Sequence, residues 1–384
     1  MSSPDRPAQP AMATDVVADP NSPSPGGGTP TAKASSTATR ARKGSGALWR
    51  YIVTRFLLII PTVFILITLV FFLMHTIGDP ITASLGGRLP ADQLAERIHA
   101  AGYDRPVIVQ YGDYLADLLR GDFGTSLSDN RPVTEIITTY GTATLELSLY
   151  ALLVAFVVGI PLGMVAAYVR DHWGDAVLRV FAILCYATPV FFSGLLLKLL
   201  FGVWWKILPV SGRAATRTEL RLSTMDGGTG IYLIDAIKSG DTAALGDVLA
   251  HAVLPGLTLG LMTAGVFLRL VRTNMISTLH ADYVDAARSR GVSEYRLVRK
   301  HAYKPALIPI ITVVGMQIAM LLSGAVLTET TFEWKGLGFQ LAKYLTARDF
   351  VAVQGIVALL AVVVAITNFL VDIIAALIDP RVRY

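Results

Sequence analysis

The side chains with the most telling types and spacing in this chain are not arranged for catalysis. Asp285-Ala286-Ala287 is followed, after three residues, by Gly291, within a polar, basic stretch from Leu268 to Pro309 that separates two long apolar segments. Two small residues and a glycine form a compact surface that another protein can grip. Thr278 to Arg290 reads as a helix that carries Tyr283, the alanine pair and Arg288. Gly291 is placed to end it, since glycine takes the left-handed C-cap conformation without strain. Ser293 is placed to cap a second helix, with Glu294 in its first turn favoured by the helix dipole. Pro305 marks the first turn of the next apolar helix. Such a helix–glycine–helix elbow makes a rigid lever, and roughly 35 mostly polar residues is far more than a connection needs.

Bond-breaking chemistry finds no support. There is no GxxxxGK[ST] loop to cradle a nucleotide, so no ATP site is read on this chain, and no HExxH, CxxC or GxSxG. His75, His99, His172, His251, His280 and His301 are scattered without metal-ligand spacing. Cys185 is the sole cysteine, which excludes an internal disulfide and a cysteine zinc site. The ionisable residues in or beside the apolar segments are Glu146, Lys198, Arg269, Arg272 and Asp372. Charge at membrane depth is costly. Glu146 and Asp372 read as structurally paired or close to a helix end, and Lys198 as able to snorkel outward. Arg269 and Arg272, one turn apart, read either as an inner gate or as ordinary inner anchors.

The elements that must position the hairpin are membrane helices. The chain is 53% hydrophobic and 16% charged, against roughly 25% charged in a soluble domain. Six apolar segments of bilayer length cover about Tyr51–Ile77, Thr142–Tyr168, Arg179–Val203, Val248–Leu270, Pro305–Thr328 and Ala352–Ile378. Backbone satisfaction in lipid makes each a helix, and their internal glycines and prolines are tolerated there. The expected fold class is therefore an all-α membrane protein with six transmembrane helices.

Orientation follows from Lys and Arg. Arg40, Arg42, Lys43, Arg50 and Arg55 crowd the first helix and place the N-terminus in the cytoplasm. Six crossings return Arg381 and Arg383 to that side. The stretch from Arg269 to Lys304, with eight basic residues against three acids, also falls inside, whereas Gly78–Gly141, with nine acids against five arginines, falls outside. Two outer segments, 78–141 and 204–247, are long enough to be functional; helix-like pieces at Ala91–His99 and Pro106–Leu119 make the first an extracytoplasmic cap. Residues 1–44, rich in Pro, Ser, Thr, Ala and Gly, are expected to be a disordered cytoplasmic tail and not a cleaved signal peptide. The membrane domain then spans 45–384, with the hairpin at 272–304.

The hairpin resembles the EAA loop of integral membrane subunits of binding-protein-dependent ABC importers. Asp285 stands for the Glu, and the His301-Ala302 to Ile308-Pro309 ending looks like the dipeptide/oligopeptide branch. Further matches are Gly78-Asp79-Pro80, Gly121-Asp122-Phe123-Gly124-Thr125-Ser126, Leu208-Pro209-Val210-Ser211-Gly212-Arg213, Leu327 to Phe332 with Gly336-Leu337-Gly338, Arg348-Asp349-Phe350, and Asp379-Pro380-Arg381-Val382-Arg383. Together they resemble the B-type permease of dipeptide/oligopeptide importers over almost all of Arg50–Tyr384.

The resemblance implies a type I importer fold in a bacterial plasma membrane, with no enzyme activity and no cofactor on this chain. It implies a second homologous permease, two cytoplasmic ATPase subunits that carry ATP and Mg, and an extracytoplasmic substrate-binding protein. Lipid surrounds the chain, and no nucleic acid partner is expected. The ATPase-coupling role falls on Asp285, Ala286, Ala287 and Gly291, with Tyr283 and Arg288 as neighbours. Rival readings are an importer of nickel, haem or oligosaccharide, a stand-alone secondary transporter, for which neither homologous halves nor a paired acidic site is seen, and an intramembrane enzyme, for which no nucleophile–base pair is seen.

Overall fold

The computed structural model describes residues 44–78, 80–85 and 90–378. The expected tail, apart from Gly44, lies outside the described residues, as do Asp79 and the run Asp379–Arg383. In chain order the helices are α1 (Gly44–Ile77), α2 (Pro80–Leu85), α3 (Ala91–Ala100), α4 (Val107–Leu119), α5 (Val133–Val154), α6 (Ile160–Tyr168), α7 (Trp173–Ala187) and α8 (Val190–Leu197). They continue as α9 (Thr216–Ser223), α10 (Tyr232–Ser239), α11 (Thr242–Leu279), α12 (Asp282–Ser289), α13 (Glu294–Arg296), α14 (Tyr303–Phe332), α15 (Leu337–Thr346) and α16 (Phe350–Ile378). Wider π turns at Ala155–Gly159, Lys198–Trp204 and Leu297–Ala302 extend three of them. Among the described residues there is no strand, only an isolated antiparallel bridge between Thr125 and Pro132.

Among the described residues, four continuous helical stretches are long and apolar enough to cross a bilayer: Trp49–Ile77, Val133–Tyr168, Thr242–Leu279 and Phe350–Ile374. The third apolar segment differs from the single helix expected of it. It breaks between α7 and α8 with a bend of 107°. Pro189 is the cause: its ring disfavours the helical region for the preceding residue, and Thr188 is extended, with φ −76° and ψ 130°. The fifth apolar segment is the interior of α14, which is 30 residues long. The second long outer segment is also not plain loop, since it folds into α9 and α10. Asp241 then caps α11, accepting from the Ala243 and Ala244 N–H groups at 2.9 and 3.2 Å.

The core is organised around α11. In its most apolar window 61% of residues are buried, against 6% for α1. Its 38 residues span about 57 Å at 1.5 Å per residue. It packs against α5, α6, α7, α8 and α14. Glycine makes two of these approaches feasible. A β-carbon at Gly163 of α6 would lie 2.6 Å from Val271 Cβ and 2.8 Å from the Leu268 carbonyl oxygen, and one at Gly265 would lie 2.7 Å from the Ala182 carbonyl oxygen. Small residues at helix interfaces are what let membrane helices pack backbone to backbone.

At the end of α11 that begins with Thr242, buried carboxylates tie the connections to the helices. Glu146 of α5, 1% exposed, is bonded to Arg213, to the Tyr150 hydroxyl at 3.1 Å, and to the Leu233 N–H at 2.9 Å in the first turn of α10. Glu329 of α14 accepts from the Thr144 hydroxyl at 2.7 Å and from the Phe339 N–H of α15 at 2.9 Å. Gly336 leaves room for that carboxylate, since a β-carbon there would sit 2.4 Å from its oxygen. Asp349 accepts from the Ser126 hydroxyl at 2.7 Å and the Ser128 N–H at 2.8 Å, and caps α16 through the Ala352 N–H at 3.1 Å. Each carboxylate satisfies orphan donors that would otherwise be costly to bury. Lys198 Nζ donates to the Thr331 carbonyl at 2.8 Å, in the last turn of α14. Asp372 pairs with Arg55 at 3.4 Å, joining α16 to α1.

The close approach of α6 to α11 yields a direct test. Gly163→Val inserts three carbons where 2.6 Å is free, and overpacking of this kind costs about 1–3 kcal/mol. The thermal midpoint of the purified protein, followed by a thiol-reactive dye on Cys185, should fall by several degrees. An unchanged midpoint would contradict the tight α6–α11 packing.

Candidate functional site: the polar hairpin

The helix expected over Thr278–Arg290 is two helices. α11 ends at Leu279, and Ala281, extended at φ −79° and ψ 143°, turns the chain into α12. The turn lets Val284 and Ala287 face inward. Both join one buried cluster with Ala167 of α6, Met275 and Leu279 of α11, Leu297 and Ala302 of the π turn, and Ala306 and Ile310 of α14. The hairpin is thus packed onto the membrane helices and does not hang from them.

The alanine pair is split. Ala287 is 3% exposed and takes part in that packing, so it is not on the accessible face. Ala286 is exposed, together with Asp282, Tyr283, Asp285, Ser289, Arg290 and Gly291. A residue larger than alanine at 287 would push α12 off the π turn beneath it, which explains the small side chain there without a partner.

Gly291 ends α12 as the spacing predicts. Its φ is +80°. The Gly291 N–H donates to the Arg288 carbonyl at 2.9 Å, and the Val292 N–H to the Ala287 carbonyl at 3.3 Å, the paired bonds of a Schellman C-cap. A β-carbon at 291 would meet nothing within 4 Å, so glycine is required there by backbone conformation alone. Across the turn, Arg288 binds both arms: Asp285 on α12, and Glu294 with Nε to Oε1 at 2.7 Å. The hydrogen bond from Arg288 holds the Glu294 carboxyl below its usual range. Ser293, expected to cap the second arm, makes no side-chain cap bond.

The second arm is helical throughout: α13, the π turn at 297–302 and α14 run on from Glu294 to Phe332, and Pro305 stands in the first turn of α14, as expected. Pro305 has no N–H to offer the carbonyl four residues back, which is that of His301. The Tyr283 hydroxyl donates to that carbonyl at 3.3 Å. Tyr283 therefore ties α12 to the second arm.

Arg269 and Arg272 both reach α7. The Arg269 guanidinium lies 5.2 Å from the centre of the Tyr186 ring. Arg272 forms a two-pronged bond with Asp175, at 2.6 and 2.7 Å. The Asp175 carboxylate is buried, and Arg179 lies 3.6 Å from it. Asp175 escaped the sequence reading because an acid in the first turn of a helix is ordinary, and its partner lies 97 positions away. Among the described residues, no group of three or more His, Cys, Asp or Glu could hold a metal ion.

Residues 159–384 match the family described as "Binding-protein-dependent transport system inner membrane component", and residues 48–148 match "Binding-prot-dependent transport system membrane comp, N-term". The chain belongs to this family of inner membrane components. The di/tripeptide transport system permease protein DppB of Pseudomonas aeruginosa is 39% identical to it over 336 residues, covering 87% of this chain and 98% of that protein. The dipeptide transport system permease protein DppB of Escherichia coli K12 is 36% identical over 337 residues, 87% and 99% of the two chains. A solved inward-facing MetNI methionine ABC transporter is 14% identical, with a TM-score of 0.47 over 64% of this chain and 96% of that one, too loose a likeness to carry weight. The hairpin of this family member lies wholly within the first match.

The Asp175–Arg272 pair separates structural from functional roles. Removing one partner of a buried ion pair costs about 3–5 kcal/mol, whereas replacing both by apolar groups is often neutral. Asp175→Leu alone should markedly lower the thermal midpoint, and adding Arg272→Leu should restore most of it. If the double variant is as unstable as the single one, the pair is not a strut between α7 and α11.

Proposed function

We propose that the chain forms half of the translocation path of an ATP-driven importer of di- and oligopeptides, and that its hairpin receives the motion of a partner ATPase. The observation that carries the reading is the continuity from Glu294 to Phe332, with both hairpin arms locked by Arg288 and by the buried cluster. A load applied to the exposed face of α12 is delivered along α14 to its far end, through backbone that is helical all the way. The peptide assignment rests on relatives that carry the names of dipeptide and di/tripeptide permeases.

In this reading α1, α5 with α6, the bent pair α7–α8, α11, α14 and α16 make six crossings of a bacterial plasma membrane. Both termini and the hairpin lie in the cytoplasm, and α2–α4 form an outer cap. Supporting the cap is the contact of α4 with α1, where Gln110 meets His75 at 3.0 Å and Tyr114 stacks on Phe71. A second permease completes the path. Two ATPase subunits, holding ATP and Mg, dock on the two hairpins, and an extracytoplasmic binding protein delivers the substrate. This chain holds no cofactor and catalyses no reaction itself.

ATP binding closes the ATPase pair, and the hairpins carry that closure to α11 and α14. The path shuts inward and opens outward, and hydrolysis resets it. A ligand shifts such an equilibrium only through its differential affinity for the two states; here that ligand is ATP on the partners. Asp285, Ala286 and Gly291 meet the partner. Ala287, Tyr283 and Arg288 hold the shape that meets it. Arg269 and Arg272 stand beside the hairpin on α11, so an inner gate built on them would move with the lever.

The test is ATP-dependent uptake of a labelled dipeptide by membrane vesicles that contain the whole importer. Wild type should accumulate it. Gly291→Val, whose cost is about 1–2 kcal/mol of left-handed backbone strain, should lose most uptake while the chain remains in the membrane. Gly291→Asn, which tolerates that conformation, should keep most of it. No dipeptide uptake by wild type would overturn the substrate, and normal uptake by Gly291→Val would overturn the lever.

A further inference from the structure

A cavity of about 530 Å³ opens beside α5, α9 and the start of α10, at the opposite end of α11 from the hairpin. Its volume falls within the roughly 300–1,000 Å³ typical of small-ligand sites. Two cations and one carboxylate line it: Arg213, Lys335 and Glu219, with the Thr142 and Ser223 hydroxyls and the Tyr232 ring among the other walls. Arg213 is 6% exposed and rigidly held. Its guanidinium stacks 3.7 Å over the Tyr232 ring, and its Nη2 binds Glu146 and, at 2.9 Å, the Gly230 carbonyl. Among the described residues its Nε has no hydrogen-bond partner. Lys335 and Glu219 meet at 2.9 Å and are both partly exposed, so this pair can exchange its mutual bond for bonds to a ligand.

We propose that this cavity is a holding site for a short zwitterionic peptide on the permease itself. A free carboxylate answers Lys335 and a free ammonium answers Glu219, while Arg213, already paired with Glu146 and stacked on Tyr232, fixes the wall behind them. An anion alone would take Lys335 and leave Glu219 without its partner, and a cation alone would take Glu219 and leave Lys335 without its own. Lys335 follows α14 by three residues, so an occupant sits at the far end of the helix that the hairpin drives. The site deepens the importer reading and rests on it for the identity of the ligand and for the outward side.

The test uses the full chain with its co-purified subunits in nanodiscs, without the binding protein, and tritiated Ala-Phe. Saturable binding is expected. Glu219→Gln and Lys335→Met, both at partly exposed positions, should each weaken it at least tenfold with unchanged thermal midpoints. On the wild type, N-acetylated and C-amidated Ala-Phe should fail to compete. Absence of saturable binding, equal competition by the capped peptide, or wild-type affinity in both variants would each overturn the site and leave only a hydrated crevice. ATP-dependent Ala-Phe uptake in vesicles separates the two readings. Uptake that persists while binding fails removes the holding site alone, and absence of uptake removes the importer reading.

Discussion

The close packing of α11 is the constraint on which the other elements depend. A helix of 38 residues surrounded by five others can be this buried only if its neighbours approach backbone to backbone. Glycines supply that approach, at Gly163 toward Leu268 and Val271, and at Gly265 toward Ala182. In lipid no hydrophobic force drives helices together, so packing quality and satisfied polar groups must do so. One end of α11 enters the hairpin and the other follows α10. Whatever reorients α11 therefore reorients both membrane faces of the chain.

The two ends are built by different means. At the hairpin end, apolar packing dominates: Val284, Ala287, Leu297 and Ala302 close a cluster with α6, α11 and α14, and surface ion pairs around Arg288 only trim it. At the opposite end, buried carboxylates do the joining. Glu146, Glu329 and Asp349 each bind groups on distant elements and cap a helix start at the same time. Buried charges without such partners would be expensive. The consequence is a hairpin packed into the helices at one end and a specifically registered set of short helices at the other, joined by α11 and α14.

The hairpin was readable because its key position obeys a local rule. Gly291 must adopt a positive φ, and glycine after a polar helix announces it. The apolar segments were readable for the same reason, since bilayer length is a one-dimensional signal. What stayed hidden depends on distance along the chain. Alanine carries no mark of direction, so the inward turn of Ala287 and the outward turn of Ala286 could not be separated. Glu146 and Arg213 are 67 residues apart, and Ser126 and Asp349 are 223 apart; nothing in either local stretch names the other. The bend at Thr188 was signalled by Pro189, but proline is tolerated in membrane helices often enough that the signal did not decide between a kink and a break. The two short helices inside 204–247, eight residues each, are too short to stand out from turn-forming sequence.

The central claim is that the exposed face of α12 receives a partner's motion. The most direct measurement places a photo-crosslinking p-benzoylphenylalanine at position 286 in the intact, membrane-embedded complex and identifies the adducts by mass spectrometry. The account predicts that this residue, exposed beside the rigid Gly291 cap, joins the chain to an ATPase subunit. Adducts confined to lipid or to this chain, in a complex that still hydrolyses ATP, would contradict it.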